Sequence, residues 1–299
     1  MRHIDQAHKI LRLAFLAIII GLSVIAAARA ATPPAQVAVS PSKLEVKIGA
    51  RSTTESLTLM NMGDDAVEIE VAVANWDLDE ANQVRILEPN EQSLDQWMVI
   101  NPLHFTVAGG ESQTVRFSVR PRVEPEPGEH RAMIYFNQIL PEESEHVVRV
   151  KFSVGVAIYG MVGEVERRGT IHDVDVVDGT NPLVARLDVS SDGSAHVRMN
   201  GHYAIYPADT YPGIDHTKWV PDQKPHEIEL PELAVAVGTL PPRPVLATTR
   251  REILLQTQDE LPPGDYILDL NGDLQGTVID MAVPFSISDP TLVAGSGTE

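Results

Sequence analysis

Ser40-Pro41-Ser42-Lys43 has the spacing of an S-x-x-K motif, in which a lysine activates a serine hydroxyl. Neither S-D-N nor K-T-G accompanies it, and on an extended strand Ser40 and Lys43 point to opposite faces. The match is therefore read as chance. His196, His202, His216 and His226, with Asp209 and Asp215 nearby, raise the question of a metal. Their spacings of six, fourteen and ten residues fit no zinc pattern, and H-E-x-x-H is absent. Asp173, Asp175 and Asp178, like Asp188 and Asp192, lie outside any twelve-residue calcium loop. There is no G-x-S-x-G and no Gly-rich phosphate loop. With no Cys there is no thiolate nucleophile, no disulfide and no Cys-based metal site. A pair of carboxylates separated in sequence, as glycoside hydrolysis needs, stays a weak alternative in so acidic a chain. The expectation is a protein that is not an enzyme, with no metal and no cofactor.

The elements that could position any site are strands. Val67, Ile69, Val71 and Val73 alternate with Glu68, Glu70, Ala72 and Ala74, a period of two rather than 3.6. Leu57 and Leu59 precede them across Asn61-Met62-Gly63-Asp64-Asp65, which makes a hairpin-like unit with Gly63 in the turn. Strands are expected over residues 37–48, 56–60, 67–76, 98–107, 114–119, 132–139 and 147–159. Seven short strands over about 125 residues suit an immunoglobulin-like sandwich. One short helical turn is expected before Trp97, with Ser93 as its N-cap. A second series follows at 171–177, 183–189, 195–205, 228–237, 245–257, 266–271 and 278–287. The fold class is all-β: two immunoglobulin-like β-sandwich domains, 31–160 and 161–288. A loop inserted near 206–225 is read as a flap, and 289–299 as a disordered tail.

The 299 residues are 43% hydrophobic and 22% charged, a globular composition long enough for two domains. Residues 1–30 read as a signal peptide: Arg2, Lys9 and Arg12, then an uncharged apolar run from Leu13 to Ala28, then Ala28-Arg29-Ala30 as a cleavage site. The run is too short to span a bilayer comfortably, so no stable membrane insertion is expected after cleavage. Removing Arg2, Lys9, Arg12, Arg29 and Asp5 takes the net charge from −19 to −22. Such a chain repels phosphate backbones, and without a basic patch nucleic acid is excluded as a partner.

The first domain resembles the periplasmic pilus-assembly (fimbrial) chaperones. The resemblance is carried by Ser40-Pro41-Ser42-Lys43-Leu44, Leu57-Thr58-Leu59-Met60-Asn61, Trp76, Phe105-Thr106-Val107-Ala108-Gly109, Gln113-Thr114-Val115-Arg116, His130-Arg131-Ala132-Met133, Phe136-Asn137-Gln138-Ile139 and residues 147–159. In the second domain it runs through Arg250-Arg251-Glu252-Ile253 and Leu261-Pro262-Pro263-Gly264-Asp265-Tyr266. It implies a periplasmic binding protein that stabilises a pilin-like or adhesin subunit by donor-strand complementation, a form of β-augmentation. An outer-membrane usher is the further partner it implies. The alternative is an immunoglobulin-like structural or adhesive surface protein without chaperone activity.

By the same resemblance Lys43 is the anchor for a client carboxylate, against its plain reading as a solvated strand lysine. The family's second basic residue belongs on the last strand, where this chain carries Val154 or Gly155, with Arg149 and Lys151 the nearest bases. Val148, Val150, Phe152, Val154 and Val156 alternate against Val147, Arg149, Lys151, Ser153 and Gly155. On pattern alone this is a half-buried strand packing its own core; on resemblance it is the donor strand. The short loop at 141–146 and the absence of Cys are similar to the short-loop class of these chaperones.

Overall fold

The structure, a computed structural model, describes residues 37–49, 51–140, 151–218 and 228–288. Ten strands, β1 (Val37–Ser40), β2 (Lys43–Ile48), β3 (Thr53–Asn61), β4 (Val67–Leu78), β5 (Val84–Leu87), β6 (Met98–Asn101), β7 (His104–Val107), β8 (Ser112–Val119), β9 (Gly128–Ile139) and β10 (Ser153–Val162), build the first sandwich. One sheet runs β1-β3-β8-β6; the other runs β2-β10-β9-β4-β5, with β7 also on β4. All pairings are antiparallel except β2 against β10. Between the sheets lies a core of inward residues taken at every second position, among them Leu57, Leu59, Ile69, Phe117, Ile134, Phe136, Val156 and Ile158.

Two stretches expected as single strands are each split between the facing sheets. Residues 37–48 give β1 and β2, broken at Pro41; residues 98–107 give β6 and β7, broken at Pro102. Proline has no N–H to continue a ladder, so each break falls where the chain can leave one sheet for the other. The four-residue edge strand β5 escaped the sequence reading, because Val84 and Ile86 flanking Arg85 are too short an alternation to stand out. A 3-10 turn covers Leu94–Trp97, but Ser93 does not cap it. Its hydroxyl donates to the Asn90 carbonyl (2.7 Å) and accepts the Asn90 N–H (2.9 Å), closing the preceding turn instead.

Gly160, expected near the domain junction, sits inside β10. A Cβ there would stand 2.5 Å from the Ile48 Cδ1 and 3.2 Å from a Leu94 methyl, so these side-chain tips pack into the space glycine leaves and would have to shift for any larger residue.

The second sandwich comprises β11 (Gly169–Val176), β12 (Val184–Ser191), β13 (Asn200–Pro207), β14 (Ala236–Thr239), β15 (Arg250–Gln256), β16 (Gly264–Asp273) and β17 (Val278–Ile287). Its sheets are β11-β12-β15 and β14-β13-β16-β17, enclosing a separate apolar core. The protein is thus all-β, two immunoglobulin-like sandwiches. Of the stretch expected as a flap, the described part folds back on the sheet. The Tyr211 ring packs 5.4 Å from Tyr206, and its hydroxyl donates to buried Asp269 (3.4 Å). No helix among the described residues is long and apolar enough to cross a membrane.

Candidate functional site

The period of two along β10 divides its side chains between two faces. Val154, Val156 and Ile158 point into the first core; Ala157, Tyr159 and Met161 point outward. The register places Lys43, Ala157 and Met133 in one cross-strand row and Glu45, Tyr159 and Arg131 in the next. This outward face carries a third apolar cluster, Trp76, Met133, Tyr159 and Met161 with Ala195 and Leu246 of the second sandwich.

Polar contacts tie the two sandwiches together around that cluster. Glu129 of β9 has no exposed side-chain surface and accepts from both the backbone N–H (2.8 Å) and the Nδ1 (2.5 Å) of His196. The His196 ring lies tilted against Tyr159 with centroids 4.1 Å apart, and its Nε2 lies 3.5 Å from Glu45. Burial alone would raise the Glu129 carboxyl, but the His196 hydrogen bond and the His196 and Arg131 charges outweigh it and hold the carboxyl below the usual range. Arg167 pairs with Glu45 (2.6 Å). On the other side Arg251 of β15 donates to the carbonyls of Leu78 and Asp79 (both 3.0 Å) and to Asn82 Oδ1 (2.9 Å). Asn82 returns a bond to the Glu252 carbonyl (2.8 Å). His196 and Arg251 therefore act in joining the sandwiches; the sequence offered no metal-type spacing for the first because its partners lie 67 and 151 positions away.

Between these two sets of contacts opens a cleft of about 290 Å³, lined by Lys43, Trp76, Met133, Ala157, Tyr159, Arg198 and Arg243 among others. Lys43 stands at its edge as the first residue of β2. Partial desolvation and the nearby Arg198 charge hold its ammonium below the ordinary lysine value, with Glu45 pulling the other way. Tyr159 is nearly fully buried and its hydroxyl is pushed up to about 12, chiefly by that burial, so it stays a neutral donor. The Trp76 ring meets Tyr159 edge-on at 5.9 Å; it is 2% exposed, and its Nε1 has no partner. A buried donor left unpaired costs about 1–3 kcal/mol, so a donor-rich, acceptor-poor cleft favours an occupant that brings oxygen acceptors. Among the described residues, no three His, Asp or Glu side chains are grouped as metal ligands.

The other sequence-chosen residues lie on β10 and just before it. Val148 and Val150, like Arg149, fall outside the described residues. Phe152 and Val154 are half-buried against the first core, whereas Val156 is 0% exposed within it. Along one edge β10 pairs with β9 from Ser153 onward, but along the other β2 reaches only Ala157–Val162. The edge over residues 153–156 thus has no strand beside it among the described residues. Half-buried Val37 and Val39 of β1 join Phe152 and Val154 against the same core, so a row of partly exposed apolar side chains lies along that seam.

No family model matches the sequence, and no curated protein matches it. Among solved structures the chain is similar to the class 5 fimbriae chaperone CfaA, at 10% identity over 85% of this chain and 100% of that one, TM-score 0.40. It is also similar to a chain of the CsuC–CsuE chaperone–tip adhesion subunit pre-assembly complex from the archaic Csu pili of Acinetobacter baumannii, at 10% identity, 85% and 99% coverage, TM-score 0.43. The E. coli chaperone DraB gives 16% identity, 85% and 97% coverage, TM-score 0.40. The likeness is one of fold.

Proposed function

We propose that this chain is an exported, non-enzymatic chaperone that holds a pilin-like or adhesin subunit by donating β10 to it. The observation that carries the reading is the open edge of β10 at Ser153–Val156, beside half-buried Phe152 and Val154. An unpaired edge offers main-chain hydrogen bonds to an added strand, and apolar side chains at every second position can complete a partner's unfilled core. Lys43, at the mouth of the cleft, then anchors the subunit's terminal carboxylate as a point charge. The two units in this reading are the first sandwich, ending with β10, and the second, from β11 onward, with the periplasm as the compartment and an outer-membrane usher as the receiver of the subunit. No cofactor enters.

The test is isolation of the tagged protein from periplasm, mass spectrometry of what travels with it, and hydrogen exchange on the complex. The reading expects a β-rich subunit to co-purify and the amides of Ser153 and Gly155, which face away from β9 toward the open edge, to become protected on binding. Rapid exchange of those amides in a stable complex would overturn strand donation and favour a structural or adhesive module of the same fold.

A further inference from the structure

A lone ammonium holds a carboxylate without the bidentate fork of an arginine, and β10 places no second cation beside Lys43. The residue across from Lys43 is Ala157. Lys151 is six residues further along, about 20 Å on an extended strand, and beyond reach of the same oxygen pair. What stands across the cleft from Lys43 is Arg198, from the second sandwich. Its place is fixed on several sides. The backbone N–H donates to Gln275 Oε1 (3.0 Å), one terminal nitrogen to the Pro242 carbonyl (2.7 Å) and the other to the Tyr159 hydroxyl (2.8 Å). The guanidinium lies 5.5 Å from the centre of the Tyr159 ring. Its Nε is buried without a partner, as is the Trp76 Nε1 on the same cleft. Among the described residues no carboxylate pairs with either Lys43 or Arg198, although the chain as a whole carries a net charge of −19.

We infer that the anion seat is a clamp built across the two sandwiches, in which Lys43 and Arg198 hold one carboxylate with the Trp76 indole N–H available as a third donor. The inference rests on the reading of this cleft as the seat of a client's chain-terminal carboxylate. Two like charges in one partly desolvated cleft repel, and an anion between them relieves the repulsion while satisfying buried N–H groups. Because the two cations belong to different sandwiches, the ligand can be gripped only while the contacts of His196 and Arg251 keep those sandwiches in register. Client binding and the domain interface are then linked: each strengthens the other.

The experiment titrates the mature protein with an acetylated hexapeptide of alternating threonine and valine, as free acid and as amide. Binding is read from the 15N-labelled indole N–H signal of Trp76. The expected result is preference for the acid, with Arg198→Ala and Lys43→Ala each weakening the acid by about 30-fold and leaving the amide unchanged. Arg198→Gln, which keeps the polar stem and an amide N–H near the Nε position but no charge, should lose the acid preference while remaining folded. It decides the matter if Arg198→Ala folds poorly. Parent-like acid binding by Arg198→Gln, with Lys43→Ala defective, would overturn the clamp and leave the seat on Lys43 intact. Equal binding of acid and amide by the parent protein would overturn the carboxylate seat and the clamp with it, while strand donation by β10 would still answer to its own exchange test.

Discussion

Phe152→Ala separates a donor strand from a core strand, because the same side chain gives opposite results in the two cases. Phe136, on the neighbouring β9, is 0% exposed in the same core and serves as the internal standard. A buried Phe→Ala change costs about 3–5 kcal/mol. Phe152 is half-buried at the open seam, so in the free protein its truncation should cost about 2 kcal/mol, roughly half the buried value. For a chain of this size that lowers the Tm by about 4–8 °C, against a loss about twice as large for Phe136→Ala. If β10 is donated, the exposed half of the ring is covered by the client in the complex. Losing it there should weaken binding by about 30-fold, as expected of a large side chain completing a partner's core. Differential scanning calorimetry of the free variants and titration of the purified client read the two quantities side by side. If Phe152→Ala is as unstable as Phe136→Ala and binds client like the parent, β10 packs only its own domain and strand donation is wrong.

The Glu129–His196 link should make the domain interface sensitive to acid. The Glu129 carboxyl is held below its ordinary 4.5, so its contribution is present above that value and is lost as pH falls through the lower folded value. Glu129→Gln should flatten that acid limb in urea titrations run from pH 6 to pH 3, and an unchanged limb would count against the link. Gly160→Ala pushes a methyl onto the tips of Ile48 and Leu94, which can shift, and should cost about 1 kcal/mol in chemical denaturation, with a loss above about 3 kcal/mol showing that they cannot. N-terminal sequencing of the exported protein should begin at Ala31, whereas recovery of residues 1–30 with the membrane fraction would make the apolar run an anchor.

The sandwiches were legible because a half-buried strand writes its two faces into the sequence. β17, expected over 278–287, forms as Val278–Ile287, with Ile279, Met281, Val283, Phe285 and Ile287 turned to the core. Where the sequence misled, the cause was a change of sheet rather than a change of period. Alternation runs on both sides of Ser40-Pro41-Ser42-Lys43, but its phase shifts there, from Val37 and Val39 to Leu44, Val46 and Ile48; that shift and the proline together mark where β1 gives way to β2 in the opposite sheet. The same holds at Pro102. The segment at 195–205 shows another limit. Val197 bridges to Val245 while β13 starts only at Asn200, so a stretch expected as one strand contains an interruption set by tertiary contacts.

The lining of the cleft was half legible for a reason that follows from how strands communicate. Lys43, which lines it, could be singled out because the resemblance rests on a local stretch, Ser40-Pro41-Ser42-Lys43-Leu44. Arg198 could not, since its meaning comes from Tyr159, 39 positions earlier and in the other sandwich. A search along β10 for a second base returns Ala157, and read strand by strand that is a gap in the site. Taken across the cleft the gap is where Arg198 enters, and alanine opposite Lys43 leaves room for it. Moving a charge from the strand to the facing domain has a physical consequence that a base on β10 would not have. Both cations on one sheet would grip an anion whatever the second sandwich did; a cation on each side makes the grip depend on contacts as distant as Arg251 with Leu78 and Asp79. Substitutions at Arg251, far from Lys43 along the chain, should therefore weaken acid-peptide binding in proportion to how far they loosen the interface, which a clamp confined to the first sandwich would not allow.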